Sequence, residues 1–338
     1  MEITDILKSL SLKQDLSTEQ TETILTKIID NTVPLSETAA FLMGLKIKGE
    51  SPNEILGLIQ AMRSHMNHID LKNAIDVCGT GGDGKESFNV STAVAFVVAG
   101  AGVKVAKHGN RAASSKCGSA DVLEELGVNI NLTPVQAKKV FEKIGMIFLF
   151  APLYHQSLKN VIKVRKQLKI PTVFNYLGPF ANPASVKRQI IGVPNTEIAR
   201  KLSKVAKELR YDHILIVSSK DGLDELSISS ESVIYEIKNN QIKTYEVDPS
   251  IYGFNKNNNL SDIKGKSKIK NAKIIREILN GSVGPKRDIV ILNSAFALYV
   301  ASKVKKIENG ISLAEQSIDN GNAKAVLQKL INETKKYA

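Results

Sequence analysis

Ile75-Asp76-Val77-Cys78-Gly79-Thr80-Gly81-Gly82-Asp83 is the stretch on which the reading of this chain turns. Four residues of strand character run straight into a glycine-rich turn, and beyond it Asn89-Val90-Ser91-Thr92 opens a helix of small residues. Glycine at such a junction lets backbone amides approach a ligand with no side chain in between. The free N–H groups and positive dipole end of the following helix suit a phosphate. The spacing is not that of a P-loop, because no Gly-Lys-Ser/Thr follows. Nor is it the dinucleotide fingerprint, whose third glycine would fall elsewhere. Taken alone, the turn reads equally well as a tight connection and nothing more.

Toward the N-terminus the chain reads as helix only. Ser51-Pro52-Asn53-Glu54 is a capping box with proline at the first helical position. Ile55, Leu58, Ile59, Met62 and Met66 follow at helical spacing, and Ser17 with Gln20 marks a second helix start. Toward the C-terminus, strands are expected at 103–106, 147–150 and 213–217. Helices are expected from Thr133-Pro134, with Ala137, Val140, Phe141 and Ile144 on one face, and from Asn195 or Thr196, with Ile198, Leu202, Val205 and Leu209 on one face. Apolar strands alternating with amphipathic helices predict a mainly parallel sheet covered on both faces. Residues 227–247 instead alternate like antiparallel strands around an Asn239-Asn240 turn. The Lys- and Asn-rich segment 254–273 reads as a solvated loop, and helix resumes from about Lys270.

A chain of 338 residues, 43% hydrophobic and 24% charged, can build one large or two ordinary domains around a real core. The longest apolar run, between Ala93 and Val103, contains glycines and stops at Lys104, too short for a bilayer span. Glu2 and Asp5 sit where a secretory leader would be basic, so none is expected. Two cysteines, Cys78 and Cys117, make no disulfide framework, and a reducing cytoplasm is the natural setting. The net charge of +12 could serve nucleic acid, a membrane surface or anionic small molecules. The excess lysine is scattered, and no aromatics interleave with it. A generally basic surface is therefore expected, with no nucleic-acid or membrane partner.

Three further clusters carry chemistry. Lys107-His108-Gly109-Asn110-Arg111-Ala112-Ala113-Ser114-Ser115-Lys116 follows the strand expected to end at Ala106. Three cations, two hydroxyls and a glycine at a strand's C-terminal end suit a polyphosphate cradle, with a solvated basic loop as the alternative. Asp221-Gly222-Leu223-Asp224-Glu225 places carboxylates on a turn, where they can face Mg²⁺ that completes its shell with phosphate oxygens, although such a pair is more often solvated surface. Arg165, on a helix before Asn175-Tyr176-Leu177-Gly178-Pro179, could grip a carboxylate or simply make a helix-surface salt bridge. His108 is either an acid–base group or a loop histidine that only hydrogen-bonds. His65 and His68 share a helical face without further ligands nearby, and Cys117 reads as a small packing residue.

Together, Gly79-Thr80-Gly81-Gly82-Asp83, Asn89-Val90-Ser91-Thr92, Lys107-His108-Gly109-Asn110-Arg111, Ser114-Ser115-Lys116-Cys117-Gly118-Ser119-Ala120-Asp121, Asn175-x-Leu177-Gly178-Pro179 and Asp224-Glu225 resemble, in order and spacing, the anthranilate phosphoribosyltransferase family. The resemblance runs from near residue 5 to the C-terminus. It implies an α/β fold shared with pyrimidine nucleoside phosphorylases. A small all-helical domain (1–70, rejoined by about 155–185) would be hinged to a large α/β domain (71–154 and 186–338), with the site in the cleft. It also implies a homodimer contacting through the helical domain and a place in tryptophan biosynthesis. By the same resemblance Gly79, Gly82, Asp83, Ser87, Asn89, Val90, Ser91, Thr92, Lys107, His108, Gly109, Asn110, Arg111, Ala112, Ala113, Ser114, Ser115 and Ser119 would hold phosphoribosyl diphosphate. Gly79, Asn110 and Arg165 would position anthranilate, and Ser91, Asp224 and Glu225 would bind two Mg²⁺ ions. Cys117 and Gln156 stand where serine and proline are more often expected. A pyrimidine nucleoside phosphorylase is the competing enzyme, and a non-catalytic nucleic-acid-binding paralogue the competing class.

Overall fold

The computed structural model describes residues 2–112, 117–255 and 259–338. Four helices come first: α1 (Ile3–Ser11), α2 (Thr18–Ile29), α3 (Leu35–Lys48) and α4 (Pro52–Ser64). Both expected capping boxes form. The Ser17 hydroxyl accepts from the Gln20 N–H while the Gln20 side chain accepts from the Ser17 N–H, and Ser51 pairs with Glu54 in the same way. Glu54 does more than cap. Fully buried, it also accepts from the Leu16 N–H at 2.9 Å and from Lys48 Nζ at 2.8 Å, so its charge is paired where solvent cannot reach it.

The sheet follows. Its strands are β1 (Ile75–Gly79), β2 (Val105–Gly109), β3 (Met146–Phe150), β4 (Arg188–Gly192), β5 (His213–Ser219), β6 (Ser232–Lys238) and β7 (Gln241–Val247), in the spatial order β3-β2-β1-β4-β5-β6-β7. The first five are parallel, and β6 and β7 are antiparallel additions at one edge. Asn239 and Asn240, which join β6 to β7, have φ of 50° and 60°, the pair of left-handed residues that a two-residue hairpin turn requires. From β1 the chain moves outward to β2 and β3, then returns to lay β4 on β1's other side. The order reverses between β1 and β4, the place where open α/β sheets leave a crevice at their carboxyl ends.

Between and after the strands lie α5 (Val90–Gly100), α6 (Ser119–Leu126), α7 (Pro134–Ile144), α8 (Ala151–Tyr154), α9 (Lys159–Leu168), α10 (Phe174–Leu177), α11 (Thr196–Glu208), α12 (Lys268–Leu279), α13 (Pro285–Val300), α14 (Ile307–Asp319) and α15 (Asn322–Lys335). Strand residues alternate between two cores. Leu215 and Val217 face a cluster shared with α5, α13 and α15, whereas Ile214 and Ile216 face one shared with α11 and the N-terminal helices. The helix α5 is buried on nearly every side, which is why its sequence carries small and apolar residues all round. The helix α9 packs against α2 and α3, and α10 against α4, so chain from the middle of the sequence joins the first four helices.

Four expectations need correction. Strand β2 extends to Gly109, so Lys107 and His108 are buried strand residues and not members of a loop. The strand β4 was not anticipated. Its Arg188 and Gln189 leave too short an apolar run, yet Gln189 is fully buried because its amide finds partners inside the sheet. The segment expected to be a solvated loop holds a short helical turn, Leu260–Ile263, and α12 starts within it at Lys268. His65 and His68 do not share a helical face, because α4 ends at Ser64.

Candidate active site

Two adjacent parallel strands, β1 and β4, end in register at Gly79 and Gly192. A Cβ on Gly192 would overlap the backbone of Asp224, and one on Gly79 would lie 2.4 Å from the Asp224 carboxylate. Bare backbone at both strand ends therefore lets the turn after β5 settle onto the crevice. That turn is fixed from below. Leu223 and Leu226 are fully buried, and the Asn293 amide accepts from the Leu226 N–H at 3.0 Å and donates to its carbonyl at 2.9 Å. Asp221 is spent on the turn itself, accepting from the Leu223 N–H and the Ser227 hydroxyl. Asp224 and Glu225 are left over the crevice.

The glycine turn after β1 meets them there. Gly81 and Gly82 have φ of 69° and 78°. The Thr80 N–H donates to the Gly192 carbonyl and the Gly81 N–H to Asp224 Oδ2 at 2.7 Å. Asp83 Oδ2 accepts from the Asp224 N–H at 3.4 Å. Three carboxylates, Asp83, Asp224 and Glu225, thus share one small volume. Burial, and then Asp83, raises Asp224 above the ordinary carboxylate range. Burial, and then Asp224, raises Glu225 further, against the pull of Lys107. Among the described residues no three His, Cys, Asp or Glu side chains enclose a metal on their own. A pair of crowded hard carboxylates beside a hydroxyl is instead the donor set of a magnesium site that borrows phosphate oxygens, so the residues present fit Mg²⁺.

The first turn of α5 brings that hydroxyl. Lys107, only 2% exposed, sends its ammonium to the Val77 carbonyl at 2.6 Å and to Ser91 Oγ at 3.1 Å. The Ser91 backbone lies close enough to the Glu225 carboxyl to offset part of its upward shift. Val90 and Thr92 are buried, which seats the helix end, while Ser87 lies in the preceding loop, bridged to Lys264. Anion-attracting groups therefore surround the carboxylates: helix amides, glycine-loop amides and a buried ammonium.

On the β2 side the structure is more reserved. Arg111 is bound to Asp121 at 3.1 Å and Glu124 at 2.6 Å and stacks over Phe150, so it reaches a phosphate only by leaving α6. Asn110 is exposed, and its side-chain oxygen accepts from the Arg111 N–H. Asp121 Oδ2 accepts from both the Ala112 and Gly118 N–H groups and so pins the two ends of the intervening stretch. Ser119 Oγ lies 3.4 Å from the Asn110 carbonyl, against which Gly109 ends β2. Ala113, Ser114 and Ser115, expected to hold phosphate, lie outside the described residues.

Beneath the site, the His108 and His155 rings lie 5.2 Å apart, tilted by 51° to one another, and the buried Nε2 of each has no hydrogen-bond partner among the described residues. Burial, then His155, holds His108 well below the ordinary imidazole range, and burial lowers His155 to about 4. Both rings are neutral at pH 7, and the same burial makes each a weak proton acceptor there. Arg165 makes no ion pair among the described residues. Its guanidinium is partly buried, lies over Phe174, and donates to Asn175 Oδ1 at 3.1 Å. A helix-surface salt bridge is thereby ruled out for it, and an arginine without a carboxylate is suited to receiving one.

The description "Glycosyl transferase family, a/b domain" matches residues 71–324, and "Glycosyl transferase family, helical bundle domain" matches residues 4–66. The anthranilate phosphoribosyltransferase of Clostridium beijerinckii is 47% identical over 95% of this chain and 95% of its own. The chain belongs to the anthranilate phosphoribosyltransferase family. The crystal structure of the Thermus thermophilus family member superposes with a TM-score of 0.90 at 33% identity, covering 97% of this chain and 99% of that one. The Saccharomyces cerevisiae member in complex with PRPP and Mg gives a TM-score of 0.90 at 29% identity, covering 99% of this chain and 98% of that one.

Against the usual family pattern, Cys117 contributes its carbonyl, which accepts from Asn89, while the exposed Gln156 side chain donates to the nearby Leu153 carbonyl. Sequence reasoning missed the network below the site. Asp76, fully buried, accepts from the His108 N–H at 3.3 Å, Asn182 Nδ2 at 2.8 Å and Gln189 Nε2 at 3.2 Å. Gln189 also donates to the Pro179 carbonyl. The available signal was an aspartate inside an otherwise apolar strand.

Proposed function

We propose that the chain transfers the phosphoribosyl group of 5-phosphoribosyl 1-diphosphate to the amine of anthranilate. The products would be N-(5-phosphoribosyl)anthranilate and diphosphate, in tryptophan biosynthesis. The observation that carries this reading is the meeting of the glycine turn, the Lys107 ammonium and the Asp224–Glu225 turn at the strand-order reversal. Family membership supports it.

The residues divide the labour as follows. Gly79, Gly82, Asp83, Ser87, Asn89, Val90, Ser91, Thr92, Lys107, His108, Gly109, Asn110, Arg111, Ala112 and Ser119, with Ala113, Ser114 and Ser115, hold phosphoribosyl diphosphate. Gly79, Asn110 and Arg165 position anthranilate, the guanidinium taking its carboxylate through paired bonds. Ser91, Asp224 and Glu225 hold Mg²⁺, two ions per site, which when bound neutralises charge on the diphosphate. An aromatic amine is a weak nucleophile, so C1–oxygen cleavage runs ahead of bond formation and the ribose gains oxocarbenium character. Inversion at C1 follows from attack opposite the diphosphate. Lys107 and the first-turn amides of α5 stabilise the departing charge because burial has already stripped them of water. Burial makes His108 and His155 weak bases, and the amine proton, acidic once the bond forms, can pass to water or phosphate. Closure about the Gly178–Pro179 hinge, between a helical domain (1–70 and about 155–185) and the α/β remainder, aligns the substrates.

Two coarser features complete the reading. The exposed Leu12, just past the end of α1, and Ile47 on α3 suit a homodimer contact through the helical domain. Both cysteines are free thiols, as a cytoplasmic protein keeps them. The test is direct: mix the protein with Mg²⁺, phosphoribosyl diphosphate and anthranilate and follow the loss of anthranilate fluorescence. A signal that stays constant over prolonged incubation rejects the function.

A further inference from the structure

The Lys- and Asn-rich stretch after β7 carries an unexpected link to the phosphate site. Residues 263–265 lie along the loop that follows β1. The Phe88 N–H donates to the Ile263 carbonyl at 3.0 Å, Ser87 bridges to Lys264, and the Gly265 N–H donates to the Glu86 carbonyl at 2.8 Å. At the end of this strap, in the first turn of α12, stands Asn271, 2% exposed. Its Oδ1 accepts from the Lys266 N–H at 3.0 Å, and its Nδ2 donates to Asn89 Oδ1 at 2.9 Å. Asn89 Nδ2 donates onward to the Cys117 carbonyl at 3.1 Å. The strap has been fitted to this residue. A Cβ on Gly265 would lie 2.6 Å from Asn271 Oδ1 and 2.8 Å from Phe88 Cα, so only glycine leaves room.

Chemistry makes the link directional. A primary amide has one acceptor oxygen and two N–H donors. With its oxygen taken by Asn271 and one N–H by Cys117, Asn89 keeps its other N–H free for an anion. Its side chain does not cap α5, so the first-turn amides of that helix are not consumed by it. An amide turned end for end would instead point its oxygen at phosphate.

We propose that Asn271 is a positioning residue for phosphoribosyl diphosphate, acting through Asn89 by fixing which end of that amide faces the ligand. The inference rests on the proposed role of Asn89 in binding this substrate. It also joins the strap, the loop after β1 and the Cys117 turn into one unit, although they are distant in sequence.

A double-mutant cycle tests it, with KM for each substrate and kcat measured at saturating Mg²⁺. Asn271→Ala is expected to raise the KM for phosphoribosyl diphosphate roughly 10-fold, as expected for a misdirected hydrogen bond to a charged ligand. The KM for anthranilate and kcat should stay near the native values. In an Asn89→Ala background the same change should add nothing, because the residue it acts through is gone. Asn271→Asp keeps size and the Lys266 contact but replaces the donor facing Asn89 with an acceptor. It should show the same KM rise in a protein that still melts cooperatively above the assay temperature, which separates positioning from loss of fold. Equal changes in both KM values, additive effects of the two alanine variants, or native kinetics for Asn271→Asp would overturn the proposal. A native KM for phosphoribosyl diphosphate in Asn89→Ala alone would reject the substrate-site reading itself, and this inference with it.

Discussion

Gly79→Ala is the sharpest probe of the crevice. The added methyl would stand 2.4 Å from Asp224 Oδ2 and 3.0 Å from Asp224 Cγ, whereas ordinary contact begins at 3.4 Å. The carboxylate must therefore retreat by about an ångström, and it cannot do so freely. Its neighbours Leu223 and Leu226 are fully buried, and the Gly81 N–H holds it at 2.7 Å. The backbone is no obstacle, since Gly79 lies in β1 with strand conformation. Overpacking of this kind costs about 1–3 kcal/mol of stability, which a domain of this size survives. A displacement of about an ångström at a reacting centre costs on the order of 100-fold in rate. Steady-state kinetics across a Mg²⁺ titration, with a thermal melt as control, would show a folded protein, a fall of that order in kcat/KM and a higher Mg²⁺ requirement. A folded variant with near-native kcat/KM and unchanged Mg²⁺ dependence would refute the placement of Asp224 at the reaction centre.

Asp224→Asn combined with Glu225→Gln should abolish turnover yet melt no lower than the native chain, because the change removes crowded buried charge; activity at saturating Mg²⁺ and calorimetry check both halves. Arg165→Ala should raise the KM for anthranilate ~10-fold or more with little effect on that for phosphoribosyl diphosphate, and equal shifts in the two constants would remove the carboxylate-gripping role. Asp76 is pushed up to about 6 from 3.8, chiefly by burial. A raised carboxyl holds a proton in the folded state that the unfolded chain has released, so its stabilising contribution is complete below 3.8 and disappears as pH rises to about 6, a change of about 3 kcal/mol. His155, lowered to about 4, acts in the opposite sense, so the readout is a difference: denaturant melts of Asp76→Asn between pH 4 and 6 should lack the downward slope that Asp76 contributes, and parallel profiles for the two proteins would count against the shift.

Features written in local spacing were legible in the sequence. The Ser17 and Ser51 capping boxes, the Thr133 and Asn195 helix starts and the Asn239-Asn240 turn each depend on residues within a few positions of one another, and all formed. The strand β4 was hidden because Gln189 is made buriable by Asp76 and Pro179, partners that become neighbours only in the folded sheet. Lys107 was misplaced for the same reason. A lysine inside a strand looks like a strand end until the Val77 carbonyl and Ser91 hydroxyl arrive to receive it. The crevice motifs could be read as phosphate chemistry from residue type, but the pinning of Arg111 by Asp121 and Glu124 depends on how α6 packs against β2, which local pattern does not encode.

The central pairing of the sheet joins β1 to β4, and its Asp76–Gln189 bond spans 113 positions of chain. During synthesis β1 gains β2 on one side early, but must wait for all of that chain to emerge before β4 exists to close its other side. At about 5–20 residues per second the wait lasts roughly 6 to 23 seconds. Through this interval the apolar side of the N-terminal helices, which is finally covered by Ile191 and the residues around β5, stays open to the surroundings. The crevice at the strand-order reversal is therefore among the last parts of the molecule to come into being. Slow codons or a chaperone acting before residue 192 would change the yield of active protein without touching any side chain in the site.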